Sequence, residues 1–153
     1  MKILVISDIH LDTGHLDLIK AGKHPGDEAD AVILAGDIVE GTFGMRWART
    51  TFPQNEIIYV AGNHEYYLGV MEEVQAAMVK CGGELGIHLL ENSSVKLGEV
   101  RFLGCTLWTD FELMGVSRRQ ELMERAGAVM NDYRLIRRGR GEGPKYKQPK
   151  LQP

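Results

Sequence analysis

Only two cysteines, Cys81 and Cys105, occur in 153 residues. They lie far apart, with no CxxC pair and no histidine-rich neighbourhood. That excludes a disulfide framework and leaves buried free thiols as the expectation. Long apolar runs are also missing. The N-terminal stretch MKILVISD carries one Lys and breaks at Asp8, too short for a signal peptide or a membrane span. A cytoplasmic protein with no membrane attachment is expected. There is no internal repeat. Aromatic residues make up 7% of the chain, and Tyr133 and Tyr146 are the only ones near the C-terminal cations. A basic segment without stacking residues is a poor single-strand platform, so nucleic acid is not an expected partner.

What is present fits one domain of ordinary size. The chain is 44% hydrophobic and 25% charged, near the globular average. The net charge of -3 is uneven. Residues Arg134 to Pro153 hold seven Lys or Arg and one Glu, which leaves the remainder at -9. An acidic folded body, residues 1–138, is expected to carry a basic Gly/Pro-rich tail, residues 139–153, too polar to order itself.

Ile3–Ile6, Ala31–Ala35 and Glu56–Val60 are continuously apolar and rich in Val and Ile, as buried parallel strands are. Helices are predicted over Gly44–Thr51, closed by Pro53, and over Val70–Lys80. The second has Val70, Val74, Ala77 and Met78 on one face and Cys81-Gly82-Gly83 as its stop. The connection from His15 to Asp30 reads as loop, with a helical turn over Leu16–Lys20. Short strands follow at Ile87–Leu90, Ser94–Leu97 and Val100–Cys105, the last two joined as a hairpin at Gly98-Glu99. Ser117-Arg-Arg-Gln120 has the form of a capping box opening a helix to Met130.

Each long strand ends in a polar cluster: SDIH (Ser7–His10), GDIVE (Gly36–Glu40) and GNHE (Gly62–Glu65). Spacings of about one crossover unit put three neighbouring strand ends along one sheet edge, where ligands bind. Asp, His and Asn together offer oxygen and imidazole nitrogen, a donor set for Mn, Fe, Zn or Co. Asp8 and His10 are placed to reach one ion, and Asp37 can bridge two. Asn63 offers a further oxygen, and His64 beside it can assist a leaving oxygen. Two divalent ions so held would activate water and clamp a phosphoryl group. Gly36 and Gly62 allow sharp turns where a Cβ would interfere. His24 and His15 read as solvated loop residues, with His15 near enough in sequence to approach the site. His88 reads as a satisfied sheet residue. Trp108, Asp110 and Phe111 form either a substrate-side wall or a packed aromatic corner.

In this order the three motifs resemble the calcineurin-like metallophosphoesterases, over about Met1 to Arg138. RFLGCTLWTDF (Arg101–Phe111) and MNDYRLIRR (Met130–Arg138) resemble a bacterial branch of predicted phosphohydrolases. The resemblance implies an α/β fold, the two-sheet calcineurin-like sandwich, here its N-terminal βαβαβ half plus a short β-hairpin region. It implies Asp8 and His10 on a first metal, Asp37 bridging, Asn63 on a second and His64 at the leaving group, with Glu40 and Glu65 supporting. A phosphomonoester or phosphodiester would be the substrate. The family pattern continues with another strand-end histidine and a GHxH segment, whereas no histidine follows His88 here. A weakly held second ion is therefore expected, with uncovered sheet faces open to self-association. The alternative expectation is a truncated, catalytically impaired remnant serving as a metal-binding or interaction module.

Overall fold

The computed structural model describes residues 1–14 and 24–139. The predicted turn at Leu16–Lys20, His15 and nearly all of the basic tail lie outside them. Three apolar runs form β1 (Ile3–Ile6), β2 (Ala31–Ala35) and β3 (Glu56–Val60), with the predicted bounds. A fourth strand, β4 (Ile87–Leu89), extends the same sheet, and all four are parallel in the order β1-β2-β3-β4. The sequence grouped Ile87–Leu90 with the later short strands. Its register against β3, Ile57 to Ile87 and Tyr59 to Leu89, places it in the main sheet. β5 (Ser93–Leu97) and β6 (Val100–Gly104) form the expected antiparallel hairpin, turning at Gly98 with φ 58°.

Two helices cover one face of the sheet: α1 (Phe43–Thr51) and α2 (Met71–Leu85). Against them Val32, Leu34, Ile57 and Tyr59 alternate inward from β2 and β3, packing with Met45, Ala48, Phe52 and Met78. α2 runs past its predicted stop. Gly82 lies inside it and lets the helix approach β4, because a Cβ there would sit 3.0 Å from the Ile87 carbonyl oxygen. Gly86 ends the helix instead, at φ 63° and with its N–H on the Gly82 carbonyl. The core-facing stripe is Met71, Val74, Met78 and Cys81, whereas Ala77 is exposed.

Arg49 ties the two helix ends together. Its Nε donates to the Leu85 carbonyl at 2.9 Å, and Nη2 donates to that of Gly86 at 2.9 Å. Nη1 reaches the carbonyls of Phe52 and Asn55. A cation there meets the negative ends of both helices. Arg49→Leu should lower stability by about 2 kcal/mol and Tm by roughly 4–8 °C, measurable by calorimetry.

The described residues cover only half of the second face of the sheet. The hairpin lies over its β3–β4 side, where Gly104 meets Leu90 and Val60 so closely that a Cβ would approach Leu90 to 2.6 Å. At the β1 side Ile3 and Val5 are 41% and 61% exposed. β1 is thus an edge strand with one open face, not a buried one: among the described residues no element packs on that side. Between sheet and hairpin runs a cleft of roughly 1040 Å³, lined by Ile33, Ala35, Val60 and Leu103 and reaching Asn63, Trp108 and Asp132.

The chain continues through a 3₁₀ turn (Val116–Arg118) into α3 (Arg119–Val129) and a last short turn of helix, α4 (Asp132–Leu135). The capping box at Ser117 does not form. Gly115, at φ 93°, reverses the chain, and the Arg118 N–H bonds the Gly115 carbonyl, so Ser117 falls inside the turn. Beyond α4, the Leu68 N–H donates to the Leu135 carbonyl, and Met71 and Gly69 exchange backbone bonds with Arg137. This zips the segment to the loop before α2 and buries Ile136. Cys81 is buried and Cys105 half-buried, both free thiols. Among the described residues no helix is long and apolar enough to cross a membrane.

Candidate metal centre

The polar loops leave the carboxyl ends of β1, β2 and β3 and are zipped to one another. The Asp8 N–H donates to the Gly36 carbonyl, His10 to that of Asp37, and Leu11 to that of Ile38. Asp8, His10 and Asp37 all adopt left-handed backbone, at φ 54°, 42° and 56°. Side chains rarely accept that region, and residues held there cluster at functional sites. Gly36 and Gly62 stand where the second and third loops touch. A Cβ on Gly36 would lie 2.7 Å from the Gly62 nitrogen, and one on Gly62 would overlap the Asp37 carboxylate.

Glu65 fastens these loops from beneath. It is fully buried. Its Oε1 accepts from the Ile38 N–H at 3.0 Å and the Tyr59 hydroxyl at 2.8 Å. Its Oε2 accepts from the Asp37 N–H at 3.0 Å and the Gly62 N–H at 2.8 Å. Four donors around two oxygens make a solvation shell built from protein. Burial, followed by the Glu65 charge, pushes the Tyr59 hydroxyl's pKa far up, so it remains a donor. The other supporting carboxylate, Glu40, is half-buried and makes no hydrogen bond or ion pair among the described residues.

Above this support His10, Asp37 and His64 each bring one ligand atom within 4.8 Å of the other two. The two imidazole rings meet edge-on, 4.3 Å between centroids. No hydrogen bond from a described residue engages either ring. Asp37 Oδ1 accepts the His64 backbone N–H at 3.0 Å, and its second oxygen accepts no hydrogen bond from the described residues. Two imidazoles with no hydrogen bond from the described residues, and a carboxylate oxygen, fit a borderline divalent cation. Asp8 is exposed and stands outside this trio, at the end of β1. Asn63 is engaged through its amide, Nδ2 donating to Asp132 Oδ1 at 2.7 Å and to the Tyr67 oxygen at 3.1 Å.

A family model described as calcineurin-like phosphoesterase matches residues 1–110. The chain belongs to this family. The family implies divalent metal ions, and the donor set of the trio suits them. A solved structure of phosphopantetheinyl hydrolase from Mycobacterium tuberculosis is similar in fold, with a TM-score of 0.63 and 22% identity. The likeness covers 95% of the present chain and 57% of that one. The chain thus spans little more than half the length of that protein. No curated protein matches.

Elsewhere the histidines divide. His88 pairs with Glu56 at 3.1 Å, the satisfied sheet residue expected. His24 is not merely solvated: its Nδ1 accepts the Gly26 N–H, capping the 3₁₀ turn Pro25–Glu28, and its ring packs on Phe52. Trp108 lines the cleft beside Tyr66, whereas Asp110 accepts the Glu112 N–H in a local turn. Asp132 was not legible as a site residue. It is 5% exposed and accepts from both Asn63 and the Tyr67 hydroxyl, the latter at 2.7 Å. Its partners lie more than sixty residues away, so no local spacing could announce it.

Proposed function

We propose that the chain is a metal-dependent phosphoesterase that hydrolyses a phosphomonoester or phosphodiester by attack of water. The gathering of His10, Asp37 and His64 at the carboxyl edge of the sheet carries this reading. His10 and Asp37 would hold a first divalent ion together with Asp8, and Asn63 would hold a second that Asp37 shares. Mn, Fe, Zn and Co all suit these donors. When bound, the ions would supply Lewis-acid polarisation of the phosphoryl oxygens and a water acidic enough to attack near neutral pH.

The chain's own groups do the rest. The buried Glu65 fixes the two loops so that Asp37 presents its free oxygen without rearrangement. His64, anchored through its backbone to Asp37 and stacked on Tyr67 at 4.2 Å, is held where its ring can pass a proton to the leaving oxygen. The cleft leading from Asn63 past Trp108 offers room for the remainder of the ester. The solved relative is named for hydrolysis of a phosphopantetheinyl group; its likeness supports the fold, not that substrate.

With Mn²⁺ and an aryl phosphodiester, Asp37→Ala should fall to background and bind metal weakly. At saturating Mn²⁺, His64→Ala should lose roughly 10²–10⁴ in turnover. Equal rates for wild type and Asp37→Ala would sink the proposal. Retained metal with no turnover in the wild type would favour the remnant.

A further inference from the structure

The amide of Asn63 is held by two residues from opposite ends of the sequence. Asp132 Oδ1 accepts from Asn63 Nδ2 and from the Tyr67 hydroxyl, both at 2.7 Å. The Tyr67 oxygen in turn accepts the second Nδ2 hydrogen at 3.1 Å. A carboxylate can only accept here, so the amide NH₂ must face it, and the usual ambiguity of amide orientation disappears. Both Nδ2 hydrogens are spent. Asn63 Oδ1, the ligating atom of such an amide, is left with no hydrogen-bond partner among the described residues. Meanwhile the Tyr67 ring stacks on His64 at 28°.

We propose that Asp132 and Tyr67 form a clamp that presets Asn63 with its carbonyl oxygen free for metal and fixes the His64 ring beside it. This rests on the metal-site reading above and extends it to residues beyond the motifs, since Asp132 lies outside the 1–110 match. The clamp is built, not incidental. Asp132 is nearly fully buried, and α4 is locked in place by the backbone bonds between residues 68–71 and 135–137. Asp132 and Tyr67 are positioning residues: they act through Asn63 and His64. Groups that orient a ligand are worth roughly 10–100-fold in metal affinity.

The test uses Mn²⁺ alone, its free concentration read from the electron paramagnetic resonance signal of the unbound ion, with no substrate present. Tyr67→Phe, which keeps the ring stack, should weaken the Asn63-dependent ion several-fold. Asp132→Ala should weaken it by roughly 10–100-fold, and Asp132→Asn should restore part of the loss because its oxygen can still accept. In an Asn63→Ala background, adding Asp132→Ala should change Mn²⁺ affinity no further. Apo-protein melting separates a general folding role, which would lower Tm and leave the affinity of the folded protein intact. Wild-type affinity in folded Asp132→Ala and Tyr67→Phe overturns the clamp and leaves the metal site standing. A wild type that binds no Mn²⁺ overturns the metal site and the clamp with it. If Asp132→Ala does not fold, Tyr67→Phe and Asp132→Asn decide the matter.

Discussion

Glu65→Ala should cost the fold about 4 kcal/mol or more, seen as a fall in Tm of roughly 8–16 °C. The carboxylate is fully buried and takes three backbone N–H groups and the Tyr59 hydroxyl. Removing it leaves two buried and two part-buried donors without acceptors, with a desolvation penalty of about 1–3 kcal/mol for each buried one before water enters the space. Against a total stability of roughly 5–15 kcal/mol that is a large share. Glu65→Gln separates this account from simple packing. It keeps the shape but turns an NH₂ towards two of the donors, so it too should melt well below wild type. A Gln variant melting within about 2 °C of wild type would show that Glu65 is not the acceptor described.

Gly62→Ala should abolish tight Mn²⁺ binding and lower Tm, through a single methyl group. That methyl would overlap the Asp37 carboxylate and lie 2.8 Å from the Asp37 nitrogen. Both contacts belong to the loop that Glu65 holds down, so neither can yield without breaking a hydrogen bond. The loops must part, and the Asp37 oxygen must leave the trio it forms with His10 and His64. Gly83→Ala is the matched control. Gly83 is exposed inside α2 with nothing within 4 Å of a built Cβ. There alanine should stabilise by about 0.5–1 kcal/mol. A Gly62→Ala protein with wild-type metal titration would refute the steric account.

The contrast between Glu65 and Asp132 shows what a sequence reveals. Strands β1 to β3 were legible to the residue because short Val- and Ile-rich runs favour extended backbone, and the loops followed because each run stops at a polar cluster. Glu65 lies in such a cluster, three residues from Gly62, and its position was readable although its four donors were not. Asp132 lies in the family-like stretch MNDYRLIRR, but its role was invisible because it depends on tertiary contact with Asn63. The end of α2 was misjudged for a related reason. Gly82 resembles a helix stop locally, and only the approach of β4 explains a glycine within the helix. Periodicity could not show that β1 is an edge strand, since exposure of Val5 depends on what does or does not pack beside it.

The left-handed backbone at Asp8, His10 and Asp37 has an evolutionary reading. Each such residue bears some strain, softened because Asp and His enter this region more readily than most, in a conformation that glycine adopts freely. Stability and ligation therefore pull opposite ways at the same three positions. A lineage under selection for chemistry must keep the side chains and bear the strain. A lineage released from it gains stability by drifting to glycine or asparagine there, while Glu65 beneath would be retained. The residues found at these three positions among descendants would thus record whether the chemistry was still under selection, independently of any assay.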